Sequence, residues 1–553
     1  MFFTAKHYFY KMKNKLLVTF SILFLISCGK KNVSLIVKNA KIYTVDSAFT
    51  TVQAMAINDG KIVATGSDSA IESKFTSDKI IDASGKTIFP GFIDAHCHFT
   101  GYATDMWKCS LMGTTSFEEI VSKVKTYSAN APMEWIYGRG WDQNDWAVKS
   151  FPNKAVFDSL FPNRPVFLKR VDGHAALLNQ KALDLAGINI NTKITGGEVE
   201  IKDGKLTGML IDNAMGFAEK VVPIINDTLA KKYFNDAQNY CFAAGLTGVH
   251  DCGISEQTVQ LVLDAQKNNG LKMKIYGLLS DDSTYYEKWA KSGPLKTERF
   301  TVGGFKFYAD GALGSRGACL LNEYSDKKAW LGFLLNTKEH FKNAAKLFAN
   351  TNMQMCTHAI GDSGNRIILQ VYADVLKQKN DKRWRIEHAQ VVNENDFHYF
   401  GDYSIIPSVQ PTHATSDMYW ATDRVGEKRM VNTYAYKKLL QTNNWLPLGT
   451  DFPVEYIEPI KTFYAAAIRQ DSKGFPAGGF QMENALTRKE AIMGMTFWAA
   501  KAAFEEKEKG SLEVGKFADF VMLDTDLMTC DASKILSTKI LSTWINGEVV
   551  FGK

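Results

Sequence analysis

The sequence predicts an α/β fold, a TIM-type (β/α)8 barrel with a small β-sandwich built from both chain ends. Three observations predict it. Eight short apolar runs alternate with helical patterns between Phe92 and about Lys507, the signature of a parallel α/β fold. Both chain ends carry short strands and turns that bury little surface alone. Metal-competent residues recur at the ends of the apolar runs, where barrel sites lie.

Composition bounds the function. The 553 residues are 45% hydrophobic and 22% charged, ordinary for a soluble globular protein whose core needs no disulfides. The net charge of +6 is an N-terminal effect, because residues 1–31 hold six Lys and no acid. Without those six, 59 of the 65 basic residues remain against 59 acidic ones. A neutral body argues against a nucleic-acid partner. The eight Cys show no C-x-x-C spacing, so no zinc ribbon or redox motif is indicated.

Residues 1–27 form a signal peptide of lipoprotein type. Lys-rich residues 6–15 precede the apolar run Leu16–Ile26, too short to span a bilayer comfortably. Leu25-Ile26-Ser27-Cys28 resembles a lipobox, in which Cys28 would carry the lipid. That places the protein on the cell envelope, lipid-anchored and facing the periplasm or the exterior. Met12 offers a tidier start to the leader.

Residues 28–91 give the first part of the sandwich. Ser34–Tyr43, Ala54–Ile57 and Lys61–Ala64 are strand-like, and Asn58-Asp59-Gly60 is a hairpin signal. Residues 508–553 give the second part, with Asp519–Leu523 and Thr543–Val550. The barrel occupies 92–507. Its first strand is Phe89–Phe99, entered through Pro90-Gly91, and alternation puts His96 and His98 on one face. The other seven are Gly245–His250, Lys272–Leu279, Val302–Tyr308, Met353–His358, Arg383–His388, Ser404–Val409 and Trp445–Asp451. Residues at about 101–244 are too many for one crossover. They form an insertion with strands at 135–138 and 165–170. Glu505–Lys509 is expected to be a solvated linker.

Five of the eight runs end in a metal-competent residue: His96 and His98, then Lys306, His358, His388 and Asp451. Four imidazoles, a carboxylate and a lysine suit two divalent cations, with zinc the first choice. A plain Lys ammonium has no lone pair. A carbamate on Lys306 would bridge two metals.

The stretches Pro90–His98, Gly138–Gln143, Arg170–His174, Gly304–Arg316, Thr357–Asp362, Arg385–Gln390 and Gly449–Val454 resemble the metal-dependent amidohydrolase superfamily. The likeness is to amidohydrolase family 3, the branch that includes N-substituted formamide deformylases, and it covers nearly all of the mature chain. It implies metal binding by His96, His98, Lys306, His358, His388 and Asp451. It also implies hydrolysis of a non-peptide amide-like C–N bond, of N-acyl or N-formyl type. Metal lowers the pKa of a bound water to about 7. Asp451 is then expected to take the proton and pass it to the leaving nitrogen, with Lys306 beside it in the catalytic set. Asp172, His174, Trp141 and Arg316 are the substrate-binding candidates, with Asp142, Gln410 and His413 as further pocket residues.

Plainer readings stand beside these. Lys306 could pair with Asp310, and Asp451 could cap a helix. His358 and His388 could be packed core residues, and Asp172–His174 a turn. His250 ends the second run, yet the resemblance gives it no ligand role. A deaminase or cyclic-amide hydrolase is the alternative enzyme. A lipid-anchored binding protein without catalysis is the alternative of another class. The partner is a small-molecule substrate, and a homo-oligomer is compatible with all of this.

Overall fold

The computed structural model describes residues 29–131, 133–267 and 270–552. Cys28 and the leader lie outside the described residues. Among those described, no helix is long and apolar enough to cross a membrane.

Seven parallel strands form the barrel wall in sequence order. They are Phe92–Cys97, Leu246–Ile254, Lys274–Ser280, Phe300–Tyr308, Gln354–Ala359, Arg385–His388 and Ile406–Ser408. The eighth run does not become a regular strand. Leu448 N donates away from the wall, to Gly494 O at 3.0 Å, which interrupts the ladder. Residues 446–451 still close the circle through scattered bonds. Gly449 N donates to Val409 O at 3.0 Å, Ala95 N to Leu448 O at 3.1 Å and Asp451 N to His96 O at 2.7 Å.

Helices cover the wall where the 3.6-residue period demands it. In Lys338–Phe348, Thr337 caps the first turn by accepting from His340 N. Phe341, Ala344, Ala345 and Phe348 form one buried stripe. Phe348 stacks on Phe305 of the fourth strand, with centroids 4.9 Å apart. Each such buried ring contributes about 1.5–3 kcal/mol, and truncating it to Ala would cost about 3–5 kcal/mol.

The run at residues 89–99 divides between two sheets. Thr87–Pro90 joins the sandwich, and Phe92–Cys97 enters the barrel. Gly91 is the joint, since a Cβ there would lie 2.2 Å from Thr247 Cγ2. Ser34–Tyr43 likewise splits at Asn39, whose φ is 53°. Leu35–Lys38 and Lys41–Tyr43 then lie in different sheets. The Asn58-Asp59-Gly60 hairpin forms with φ of 49° at Asp59 and 75° at Gly60. Phe520–Leu523 pairs antiparallel with Thr87–Pro90, so the two chain ends share one sheet. Phe520 and Trp544 stack at 5.2 Å in the sandwich core.

Residues 109–212 supply a separate six-stranded mixed sheet. Ile136–Trp141 and Val166–Arg170, both expected, are adjacent and parallel in it. Glu505–Lys509 is not the solvated linker expected. Glu505 and Lys509 are each only 6% exposed and pair at 2.6 Å. Thr301 Oγ1 also donates to Glu505 at 3.1 Å, tying the segment beneath the fourth strand.

Candidate metal centre

The C-terminal ends of the barrel strands bring six of the expected residues to one place. His96 is the last residue but one of the first strand and is fully buried. The strand stops at Cys97, and His98 opens the helix Phe99–Asp105 with its side chain 28% exposed. Both rings still turn to Asp451. Asp451 Oδ1 lies 3.5 Å from His96 Nε2 and 3.2 Å from His98 Nε2. Lys306 Nζ stands 3.3 Å from His96 Nε2. The His388 ring is 4.8 Å from His96 and 4.5 Å from His358, centroid to centroid.

Local backbone geometry aims these groups. Asp94 accepts from Thr450 Oγ1 at 2.6 Å and from Thr450 N at 2.9 Å, fixing the turn before Asp451. Asp451, His388 and Ala389 take φ of 65°, 74° and 42°. Such left-handed conformations cost on the order of 1–3 kcal/mol each and cluster at functional sites. In a regular strand Glu387 and His388 would face opposite ways. The positive φ at His388 breaks that alternation.

Glu387 is the residue that sequence reasoning missed. Its Oε2 accepts from His96 Nδ1 at 2.6 Å, and neither side chain is exposed. Its other neighbour is Arg385, at 3.5 Å. The lone pair of His96 Nε2 therefore faces Asp451 and Lys306, the tautomer a metal needs. His413, which the sequence offers only as a pocket residue, also reaches the cluster. It stands in the helix Pro411–Asp417, with Nε2 3.7 Å from Asp451 Oδ2. It lies beyond the seventh strand, which carries no ligand type at its own end.

Burial governs the charges. It pushes His96 down to about 4, helped by the neighbouring Lys306. His358 and His388 also fall well below the imidazole range, through burial and then adjacent rings. Burial works to raise Asp451, but His96 and His98 hold it well below the usual carboxylate range. At Lys306 burial opposes the charge, and Tyr308 with nearby anionic groups outweighs it and raises the pKa.

These residues fit a divalent metal ion. Separations of 3.2 and 3.5 Å bracket the edge, about 3.3 Å, of a tetrahedron with bonds near 2.0–2.1 Å. Asp451 Oδ1, His388 Nδ1 and His413 Nε2 are buried without hydrogen-bond partners. Of three ligand sets among the described residues, two share Asp451, one with His96 and His98 and one with His388 and His413, and the third joins His96 to Cys252 and Glu387.

A cavity of about 490 Å³ opens above this cluster. Asp172, His174, Asp142 and His413 line it. Trp141 does not. Its indole is buried among the insertion strands and donates to Leu168 O at 2.8 Å. Arg316 turns away to Asp326, 2.8 Å from Nη2 to Oδ2. The guanidinium in the cavity wall is instead Arg170, which bonds Asp142 and Asp172. Gln410 bends back to Ser408 O at 3.3 Å. His250 sits mid-strand against Arg385, 3.1 Å away, because the second strand runs on to Ile254. Asp310 does not pair with Lys306, since its carboxylate accepts from the backbone N–H groups of Cys319, Ile360 and Gly361. Asp451 caps no helix, the next one starting at Pro459. His174 is raised above the usual imidazole range, because Asp212 outweighs burial.

The sequence profile of the amidohydrolase family matches residues 79–551. The chain belongs to the amidohydrolase family. This amidohydrolase is 32% identical over 537 residues to protein LONG AFTER FAR-RED 3 of Arabidopsis thaliana, covering 94% of this chain and 91% of the other. It is 25% identical to the N-substituted formamide deformylase of Arthrobacter pascens, covering 93% and 97%. A metal-dependent hydrolase of Pyrococcus horikoshii shares its fold with a TM-score of 0.73 and 25% identity, covering 90% and 99%. The amidohydrolase is an enzyme that hydrolyses carbon–nitrogen bonds.

Proposed function

We propose that the enzyme hydrolyses a non-peptide amide of N-formyl or N-acyl type. The observation that carries this is the convergence of His96, His98, Lys306, His358, His388 and Asp451 under one cavity. The formamide deformylase relative supports the substrate class. Two divalent ions, zinc first, would be held by these six residues, with Lys306 as a carbamate between them. Bound there, they would activate a water and polarise the substrate carbonyl.

The chain's own residues do the rest. Glu387 holds His96 in one tautomer and orientation. Asp451, the base, takes the proton of the attacking water. Asp172 and His174 position the substrate from the insertion side. A cavity of about 490 Å³ suits a small molecule. The test is a panel of N-formyl, N-acyl and cyclic amides with the metal-loaded protein. Turnover confined to cyclic amides, or to deamination, would overturn the substrate class.

We further propose that Cys28 is lipidated and tethers the enzyme to the cell envelope. Cys28→Ser is expected to move it from the membrane to the soluble fraction. Wild type recovered from the cytoplasm would refute the tether.

A further inference from the structure

Amide hydrolysis needs two proton movements, one off the attacking water and one onto the leaving nitrogen. Asp451 stands among His96, His98 and His413. A row of rings leads away from it: His96 to His388 at 4.8 Å, His388 to His358 at 4.5 Å, and His358 to His174 at 5.0 Å. His174, at the far end, comes from the insertion and lines the same cavity.

This imidazole is built to face one way. Its Nδ1 donates to Asp212 Oδ1 at 2.5 Å. The backbone fixes both partners, with Asp212 N donating to His174 O at 2.9 Å and His174 N to Asp172 Oδ1 at 3.0 Å. The Asp212 side chain is fully buried, and its Oδ2 has no hydrogen-bond partner. Two glycines make room for it. A Cβ on Gly311 or Gly317 would lie 2.3 Å from Oδ2. Both belong to the loop after the strand that bears Lys306. With Nδ1 committed to a carboxylate, only Nε2 can serve the cavity.

We propose that His174 is the proton donor to the leaving nitrogen, with Asp212 as its positioning residue. This rests on the amide-hydrolysis reading above and moves the second proton from Asp451 to the insertion. The C–N bond breaks with its electron pair on nitrogen, which takes the Nε2 proton of His174. The proton of the attacking water goes to Asp451. The acid and the amine depart, and Asp451 returns its proton through solvent to His174. The charge on a protonated His174 is balanced by Asp212 throughout.

The test compares His174→Gln and Asp212→Asn with wild type, all metal-loaded, on two formamides. One releases an alkylamine, which cannot leave unprotonated. The other releases an anilide bearing an electron-withdrawing group, which needs far less help. On the alkyl substrate His174→Gln is expected to lose about 10²–10⁴-fold in kcat, and on the activated anilide less than about tenfold. Asp212→Asn should show the same bias to a smaller degree, with metal content unchanged. It carries the comparison if His174→Gln does not fold. Equal losses on both substrates would overturn the donor role and leave amide hydrolysis standing. Wild type that cleaves neither amide would overturn the reading of the reaction, and the donor role with it.

Discussion

Glu387 and His96 meet across the barrel interior, 291 residues apart in the chain and 2.6 Å apart from Oε2 to Nδ1. Glu387 is held at about 2, because Arg385 and His96 outweigh the burial that would raise it. It is therefore an anion that fixes the His96 tautomer. Partners of this kind typically change metal affinity by about 10–100-fold. Glu387→Gln is expected to lose metal that much more readily in a graded chelator dialysis followed by elemental analysis. Retention equal to wild type would deny Glu387 this part.

The cluster itself predicts the metal content. Elemental analysis should find close to two divalent ions per chain, zinc foremost. His96→Ala with His98→Ala should remove at least one. A metal-free protein of full activity would sink the metal reading. One ion per chain would instead make Lys306 an uncarbamated neighbour.

Asp451 separates ligation from proton transfer. Asn keeps the shape and one ligating oxygen but cannot take the proton. Asp451→Asn should lose about 10²–10⁴-fold in kcat while keeping most of its metal, with KM little changed. Normal turnover with metal retained would assign the base elsewhere.

The sandwich should show its own pH dependence. Lys41 Nζ lies 2.6 Å from Asp526 Oδ2, joining the two chain ends. The hydrogen bond to Asp526 raises Lys41 from 10.5 to about 12. A raised lysine stabilises fully below its unfolded value, and the contribution is lost as pH rises through the folded one. The gap in thermal midpoint between wild type and Lys41→Met should therefore close between pH 10.5 and about 12. Lys41 is 44% exposed, so the gap will be small. A gap that stays constant across that window would show that the ion pair contributes nothing.

Much of this was legible in the chain. Period-two and period-3.6 patterns mark the seven barrel strands and their helices, because those repeats follow from backbone geometry alone. Asn58-Asp59-Gly60 marks its hairpin for the same local reason. Residue chemistry at the run ends marked His96, His98, Lys306, His358, His388 and Asp451. What a local pattern does not carry is direction. Trp141 and Arg316 have suitable side chains, yet the fold points one into a core and the other at Asp326. Arg170 takes the place in the cavity wall.

The sequence by itself determined which elements form and which side chains could do chemistry, since both depend on residue type and short spacing. Tertiary structure decided which of them meet. Glu387 and His388 both face the site because a positive φ at His388 breaks the strand alternation, and barrel closure brings Glu387 to His96. His174 reaches the cavity only because the insertion sheet docks there, with Asp212 set behind it by strand register. Such contacts depend on packing between distant segments, and no local repeat encodes that.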